Sequence, residues 1–285
     1  MGISPGALEG VRVLEIGDFI SAAYCTKLMA DLGAEVIKIE HPQSGDDSRQ
    51  FGPFPGDVPD LEKSGLFLYL NGNKLGITAD VHTAAGANIV RALVREVDIL
   101  VENQNPGVLE AQNLTYEHLS PLNPGLVMTS ISTFGRTGPY RNYKGYDLTA
   151  WHGAGLGPVH LGHPEREPLR GAWYHADHWG AIGGATATML ALYARDFIGE
   201  GQHVDLSQTD MMSSMVLGYQ MVTVFHKTGE HRKRSGAFGG QIAPSGMFPC
   251  KDGYFFMFPF EEHHWKGLVA AMGYPAWAKD PIFQG

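Results

Sequence analysis

Short apolar runs of strand length alternate with helical segments along the first part of the chain. Residues 11–16 form a buried-strand pattern, 21–32 a helical pattern with Gly33 just past its end, and 34–40 a second strand pattern. Parallel strands produce this alternation, because each crossover needs a helix to return the chain to the start of the next strand. The pattern therefore predicts an α/β fold with a parallel sheet.

The alternation continues towards the C-terminus. Further strands are predicted at 75–79, 98–101, 126–130 and 203–206, and helices at 84–96, 179–195 and 207–226, whereas 41–65 is predicted to be an irregular loop. Such repetition predicts a doubly wound, Rossmann-like sheet whose ligand crevice lies at the carboxyl ends of the strands. No G-x-G-x-x-G motif follows the first strand, which disfavours dinucleotide binding.

The domain organisation predicted from these elements is unequal. Residues 1–226 form the large domain, and residues 227–285 a linker followed by the start of a smaller domain with a strand at 254–258 and a helix at 261–272. The smaller domain is expected to be incomplete at residue 285. A Gly-rich segment at 236–240 is a candidate lid.

Composition and charge restrict the class of protein. Charged residues make up 18% of the 285 residues and hydrophobic residues 44%, as in a soluble globular protein. The net charge of −9 argues against nucleic acid as a partner. With two cysteines and no apolar run of membrane length, we expect a cytoplasmic protein without disulfides. Cys25 lies on an apolar stripe and is predicted to be in the core.

The predicted helix at 179–195 consists largely of small residues and should be buried. Two adjacent glycines, Gly183 and Gly184, indicate that a neighbouring element approaches closely. Asp177 falls where the N-cap of this helix belongs. Two interpretations remain open at this point: Asp177 is a helix cap, or it is a carboxylate nucleophile at a buried helix N-terminus.

The loop at 132–147 follows a buried strand and concentrates cations in an otherwise acidic chain. It carries Arg136, Arg141 and Lys144, and ends at Asp147. Such a loop suits ligand binding, although a plain surface loop explains the pattern equally well. Histidine pairs spaced i, i+3, such as His175 and His178, lack a matching set of further ligands, so no metal site is predicted.

An ordered series of segments carries a family resemblance over nearly the whole chain. The segments include LEGVRVLEIGDFISAAYCTKLMADLGAEVIKIEHPQSGDDSR, NGNKLGITADV, DILVENQNPGVLE, NPGLVMTSISTFGRTGPYRNYKGYDL, HADHWGAIGGATATMLALYARDFIGEGQHVDLS and APSGMFPCKDGYFFMF. Together they resemble the family III CoA-transferases, which include formyl-CoA and carnitine CoA-transferases.

The resemblance implies an acyl-CoA site with Asp177 as the nucleophile. It implies an aspartyl–acyl anhydride and an enzyme–CoA thioester as intermediates, with acyl-CoA and a small carboxylic acid as substrates and no permanently bound cofactor. The residues that it assigns to CoA binding or to the reacting centre are Asn103, Lys144, Tyr146, Asp147, Gly239 and Gly240. The candidate CoA-binding set also contains the cations Lys38, Lys74, Arg136 and Arg141.

Several positions depart from the family pattern and leave the substrate open. Ile20 stands where formyl-CoA transferase has glutamine, Ala22-Ala23 replaces Gly-Pro, and Gln104 and Ala111 replace an aromatic residue and a cation. Members of the family are longer and form interlocked dimers. We therefore expect a homodimer or a complex with a second chain, and a sequence that is a fragment or one half of a split enzyme.

Two alternative functions remain. The related α-methylacyl-CoA racemases use a histidine in a Gly-His-Asp segment, where this chain has Gly145-Tyr146-Asp147. A tyrosine is a poor general base at neutral pH, because its ordinary pKa is near 10. The other alternative is a non-catalytic CoA-binding subunit.

Overall fold

The computed structural model describes residues 6–155, 162–214, 216–230, 234 and 244–283. The chain divides into two compact units. The first contains residues 1–156 and 170–229, and the second residues 157–169 and 230–285. The change of unit at 229/230 lies near the predicted domain boundary, but the second unit also takes the segment 157–169 from the middle of the chain.

The first unit is built on a six-stranded parallel sheet with the order β3-β2-β1-β4-β5-β6. Its strands are β1 (Arg12–Ile16), β2 (Glu35–Glu40), β3 (Lys74–Thr78), β4 (Ile99–Glu102), β5 (Val127–Ser132) and β6 (His203–Ser207). This is the doubly wound order, in which the winding direction reverses between β1 and β4. The predicted α/β, Rossmann-like class is confirmed, and each predicted strand of this sheet is present within a few residues.

Helices cover both faces of this sheet. The helices of the first unit are α1 (Ser21–Asp31), α2 (Gly65–Asn71), α3 (Ala84–Val94), α4 (Val108–Ala111), α5 (Tyr116–Leu119), α6 (Asp147–Gly153), α7 (His175–Ile198), α8 (Gln208–Ser213) and α9 (Val216–Thr228). Neighbouring strand residues supply opposite cores. In β1, Val13 packs with Cys25 and Met29 of α1, whereas Leu14 packs on the other face with Val90 of α3.

Some local predictions were incomplete. The segment 41–65, predicted as irregular, contains the 3-10 turns Asp47–Gln50 and Pro55–Asp57. The short helices α2, α4, α5 and α6 were not predicted, and the single helix predicted at 207–226 is divided into α8 and α9. Four- to seven-residue helices carry too few periodic positions to be recognised from apolar spacing alone.

The second unit contains an antiparallel hairpin and a helix. Strands β7 (Gly246–Cys250) and β8 (Gly253–Met257) pair, and α10 (Glu262–Ala271) follows them. The short 3-10 turns Ala276–Lys279 and Pro281–Phe283 end the described part. Over all the described residues, no helix combines the length and apolarity needed to cross a bilayer.

Candidate active site

A cavity of about 490 Å³ opens at the carboxyl ends of β1, β4 and β5. Parallel strands end at the same edge of the sheet, so loops distant in sequence meet there. The residues of the predicted candidate set that line this cavity are Asn103, Arg141, Tyr146, Asp147 and Asp177. A cavity therefore lies at the edge of the sheet where the sequence predicted the ligand crevice.

The glycines of α7 allow this helix to lie directly on the sheet and on α8. A Cβ added at Gly184 would lie 2.7 Å from Ile131 Cδ1 of β5, and one at Gly180 would lie 2.7 Å from Gln208 Cγ. Real side-chain atoms do not approach this closely, so alanine at either position would displace its neighbour. The close approach predicted from the glycines is confirmed, and it brings the first turn of α7 into the cavity wall.

The chain enters α7 through two residues in the left-handed region. Trp173 has φ +45° and Tyr174 has φ +48°, a conformation that is uncommon for residues other than glycine and is found at functional sites. The helix therefore begins at His175, earlier than predicted, and Asp177 is its third residue. The prediction that Asp177 is the N-cap is wrong, because the side chain that binds the helix end comes from elsewhere.

The side chain that binds the N-terminus of α7 is the carboxylate of Asp147, the first residue of α6. Its Oδ1 accepts hydrogen bonds from the backbone N–H groups of Ala176 at 2.7 Å and Asp177 at 3.4 Å. A carboxylate at a helix N-terminus is stabilised both by these donors and by the helix dipole. Asp147 is buried, so it holds the end of α7 and places a second negative charge beside Asp177.

Asp177 stands half-buried in the cavity wall with one oxygen held. Gln208 Nε2 donates a hydrogen bond of 2.7 Å to Asp177 Oδ1. Among the described residues, no donor binds Oδ2. Removal from water and the nearby negative charge of Asp147 raise the pKa of Asp177 to about 7, although the Gln208 hydrogen bond opposes this. The arrangement leaves a basic carboxylate in the cavity wall with one oxygen that no described donor occupies.

Asn103, placed by the end of β4, holds the loop that follows β1. Its Oδ1 accepts from Asp18 N at 2.9 Å, and its Nδ2 donates to Asp18 O at 2.7 Å and to Ser21 Oγ at 2.9 Å. Burial, and then the charge of Asp46, raise the pKa of Asp18 to about 6. Asn103 thus lines the cavity as predicted, but its amide is occupied in shaping the cavity floor.

The cations of the 132–147 loop have different positions. Arg136 binds Glu102 with Nη2 at 2.7 Å from each carboxylate oxygen, and its backbone N–H binds Asp205 at 2.9 Å. Arg136 therefore fastens the loop to β4 and β6. With Arg141 it also lines a smaller pocket of about 340 Å³, which shares Pro106 and Arg141 with the first cavity. Lys144 is exposed on the same loop, and Tyr146 is 71% exposed.

Lys38 and Lys74 lie in a buried ion cluster instead of on the cavity wall. Lys38 Nζ is 2.6 Å from Glu15 Oε1 and 2.7 Å from Asp46 Oδ2, and Lys74 Nζ is 2.9 Å from Glu15 Oε2. Only 2% of each lysine side chain is exposed. The structure contradicts the assignment of these two lysines to CoA binding, because their ammonium groups are buried and already paired with Glu15 and Asp46.

Two groups of aromatic rings border the cavity. In one group Phe19 lies 4.8 Å from Tyr174 and 5.0 Å from Phe51, measured between ring centroids. In the other, Phe134 lies 6.4 Å from Tyr143. Phe19, Phe51 and Tyr174 belong to the first wall of the cavity, which we call the Phe19 wall, and the 132–147 loop forms the loop wall.

Sequence reasoning missed Gln208 and Arg170, both of which line the cavity. Gln208 follows Ser207, whose side chain accepts from Asp210 N as an N-cap. A helix start directly after the strand next to β5 was the signal that could have identified it. Gly239 and Gly240, predicted to belong to a mobile covering loop, lie outside the described residues.

Metal-binding potential is low in the described residues. The one group with suitable spacing there is Glu261, His263 and His264, whose ligand atoms lie within 4.8 Å of one another. All three side chains are exposed and belong to the second unit. This group was not singled out from the sequence.

Known proteins resemble this chain over almost its full length. The family model for CoA-transferase family III matches residues 8–285. The succinyl-CoA–D-citramalate CoA-transferase of Chloroflexus aurantiacus is 37% identical, over 98% of this chain and 68% of the relative. The succinate–glutarate CoA-transferase of Agrobacterium fabrum is 33% identical, over 96% of this chain and 68% of the relative.

Solved structures agree with these relatives. A crystal structure of a CAIB/BAIF family protein from Brucella suis matches with a TM-score of 0.81 and 33% identity, over 99% of this chain and 73% of that one. The parallel sheet, the cavity at its carboxyl edge and the sequence matches are all consistent with one family. The chain belongs to CoA-transferase family III and is a CoA-transferase.

Proposed function

We propose that this protein moves CoA from an acyl-CoA donor to a carboxylic acid acceptor by covalent catalysis at Asp177. The observation that carries the proposal is the carboxylate itself: Asp177 lines the cavity, its Oδ1 is held by Gln208, and its Oδ2 has no donor among the described residues. A positioned carboxylate beside a bound thioester needs no further activation to be an effective nucleophile.

The proposed reaction has two matched halves. Asp177 Oδ2 attacks the thioester carbonyl carbon, the C–S bond breaks, and CoA leaves as thiolate from a mixed aspartyl–acyl anhydride. The thiolate then attacks the aspartyl carbonyl carbon and releases the donor acid, leaving an aspartyl–CoA thioester. The acceptor carboxylate repeats these steps in reverse, so atoms balance without water. A dry cavity favours this route, because water would hydrolyse both intermediates.

Neighbouring residues have assigned tasks in this proposal. Asp147 holds the N-terminus of α7 and raises the pKa of Asp177, which makes the nucleophile more basic. Arg141, Lys144 and Tyr146 are proposed to contact CoA from the loop wall, since two of them are the free cations of that loop. Asn103 acts indirectly, by fixing the loop at Asp18.

The substrate class follows the named relatives. The names of these relatives contain succinate (or its CoA thioester), glutarate and citramalate, all of which are dicarboxylic acids. We therefore propose that the acceptor is a dicarboxylic acid and that the donor is the CoA thioester of another dicarboxylic acid.

Trapping tests the covalent step. Wild-type protein incubated with succinyl-CoA and then hydroxylamine should carry a hydroxamate at residue 177, detected by mass spectrometry of the digest. Asp177→Asn should form no hydroxamate and lose about 10³-fold or more in transfer rate, because its amide is not a nucleophile.

Asp210→Asn is the matched control for this test. Asp210 is also the third residue of its helix, α8, but it does not line the cavity. This variant should keep both the hydroxamate and the rate. An active wild-type preparation without an adduct at Asp177, together with transfer by Asp177→Asn, would contradict the mechanism.

We further propose that the chain works as a homodimer or with a second chain. A stripe of apolar side chains spaced along α7 supports this, since Leu190, Tyr193 and Phe197 are each exposed. Large exposed apolar patches are uncommon on monomers. Light scattering at micromolar concentration should give at least twice the mass of one chain, and a stable monomer would refute this proposal.

A further inference from the structure

Arg170 lies against Tyr174 of the Phe19 wall. It lines the main cavity together with Tyr174 and Asp177. Its guanidinium carbon lies 5.7 Å from the centroid of the Tyr174 ring. Among the described residues, Arg170 makes no ion pair. A guanidinium stacked on an aromatic ring uses its face for that contact and keeps its edge N–H donors available.

The remaining charges of the cavity make this cation significant. Four carboxylates line the cavity, those of Asp18, Asp47, Asp147 and Asp177. Arg141 and Arg170 are the cations among its described lining residues. An acid with two carboxylates would be repelled from such a cavity unless one carboxylate met a cation.

The geometry of a thioester separates the roles of the two arginines. The CoA sulfur and the acyl chain leave the carbonyl carbon on different sides. Arg141 belongs to the loop wall, which the proposed function assigns to CoA. With the carbonyl carbon at Asp177, the acyl chain extends away from CoA, and the Phe19 wall supplies the other surface. The methylene groups of the acyl chain would contact Phe19 and Phe51, and its far end would reach Arg170.

We infer that Arg170 forms a carboxylate subsite that binds the distal carboxylate of a dicarboxylic acid while its other carboxylate reacts at Asp177. This inference rests on the proposed function and adds to it the residue that selects the substrate class. A planar guanidinium binds a carboxylate through two parallel N–H···O bonds, which fixes the orientation of the acid as well as its affinity. A monocarboxylic acid of the same length would leave Arg170 without that partner.

A competition assay isolates this selection. Succinyl-CoA is the donor, glutarate and pentanoate are supplied at equal concentration, and the ratio of glutaryl-CoA to pentanoyl-CoA is measured by mass spectrometry. Both products come from the same enzyme–CoA thioester, so the ratio is independent of the donor half-reaction. Pentanoate has the chain length of glutarate with a methyl group in place of one carboxylate. Wild type should favour glutaryl-CoA by about 10²-fold.

Variants of Arg170 should change the ratio in a graded manner. Arg170→Gln should lower it by about 10- to 100-fold, whereas Arg170→Lys should give an intermediate ratio, since it keeps the charge and loses the paired geometry. Arg141→Gln is the matched control in the same cavity: it should lower the total rate and leave the ratio unchanged. Arg170 is exposed, so these variants should keep the wild-type thermal midpoint.

Three results would overturn the subsite. They are an equal yield of both products from wild type, a ratio unchanged in Arg170→Gln, or a ratio changed as strongly in Arg141→Gln. Hydroxylamine trapping with succinyl-CoA separates this failure from failure of the mechanism. An adduct at Asp177 with no preference for glutarate refutes the subsite alone, whereas the absence of any adduct from an active preparation refutes the covalent mechanism.

Discussion

Glu15 is fully buried and Asp177 is half-buried, and their surroundings shift the pKa values of the two carboxylates in opposite directions. Burial alone would raise the pKa of Glu15, but the attraction of Lys38 and Lys74 outweighs it and lowers this pKa to about 2. For Asp177, burial and the neighbouring Asp147 act in the same direction and raise the pKa to about 7. The partners thus decide whether a carboxylate is a fixed structural charge or a basic, reactive group.

The two regions also differ in what their charges stabilise. Every charge of the Glu15 cluster is paired, and Thr26 Oγ1 adds a hydrogen bond of 2.6 Å to Glu15. The cluster ties β1, β2 and β3 together beneath the loop at Asp46. At Asp177 two like charges stand together at the first turn of α7, a destabilising arrangement of the kind that is typical of functional sites. Variants that change one of these regions and leave the other intact test this difference.

The largest effect on stability is expected from Glu15→Gln. This change leaves Lys38 and Lys74 buried with less compensating charge, at a cost of about 3–5 kcal/mol in the free energy of unfolding. The thermal midpoint should fall by about 10 °C or more. Because the pKa of Glu15 is lowered on folding, its contribution is complete above about pH 4.5 and is lost as the pH falls towards 2.

Glu35→Gln is the control for that variant. Glu35 lies on the neighbouring strand β2 and forms an ion pair of 3.6 Å with Arg12, but both side chains are half-exposed. Exposed pairs contribute little, so its effect should stay below about 1 kcal/mol. Equal thermal midpoints for the two variants would show that the buried cluster does not stabilise the sheet.

Removing the charge beside Asp177 should change the acid dissociation constant of Asp177 by about tenfold. In wild type, kcat/KM should rise with pH and level off above about 7, because the nucleophile must be ionised. Asp147→Asn keeps an oxygen that can accept from Ala176 N but removes the like charge. The midpoint of the pH profile should therefore move about one pH unit lower.

Asp18→Asn distinguishes Asp177 from the other cavity carboxylate with a raised pKa. Whatever its effect on the absolute rate, this variant should leave the midpoint of the profile in place. A midpoint that moves in Asp18→Asn and stays in place in Asp147→Asn would show that the profile reports the ionisation of Asp18 and not that of Asp177.

The smallest effect is expected on the stability of Asp177→Asn. Because the pKa of Asp177 is raised on folding, the charged form destabilises the folded protein, and stability is lost as the pH rises through about 7. The inactive variant should thus be more stable than wild type at pH 8, by about 1 kcal/mol after allowance for its partial exposure. The difference should shrink towards pH 4, and Asp210→Asn should show no such gain in thermal melts.

The sequence alone determined the architecture and predicted, through its family resemblance, a nucleophile at residue 177. Apolar runs of strand length alternating with helices define a parallel sheet, because burial on both faces requires that pattern. The small residues of α7 also predicted its packing, since a Gly183-Gly184 pair inside a helix indicates that a neighbouring element approaches closely. The ordered family motifs then singled out Asp177, among thirty acidic residues, as the candidate nucleophile.

Only the tertiary structure decided what each charged residue does. Lys38, Lys74, Arg136 and Arg141 are equivalent cations in the sequence, but the fold pairs the first two with Glu15 and the third with Glu102, and leaves Arg141 on the cavity. Asp147 and Gln208 reach Asp177 from positions 30 and 31 residues away. A pKa and a binding role depend on distances between such residues, which the linear order of side chains does not contain.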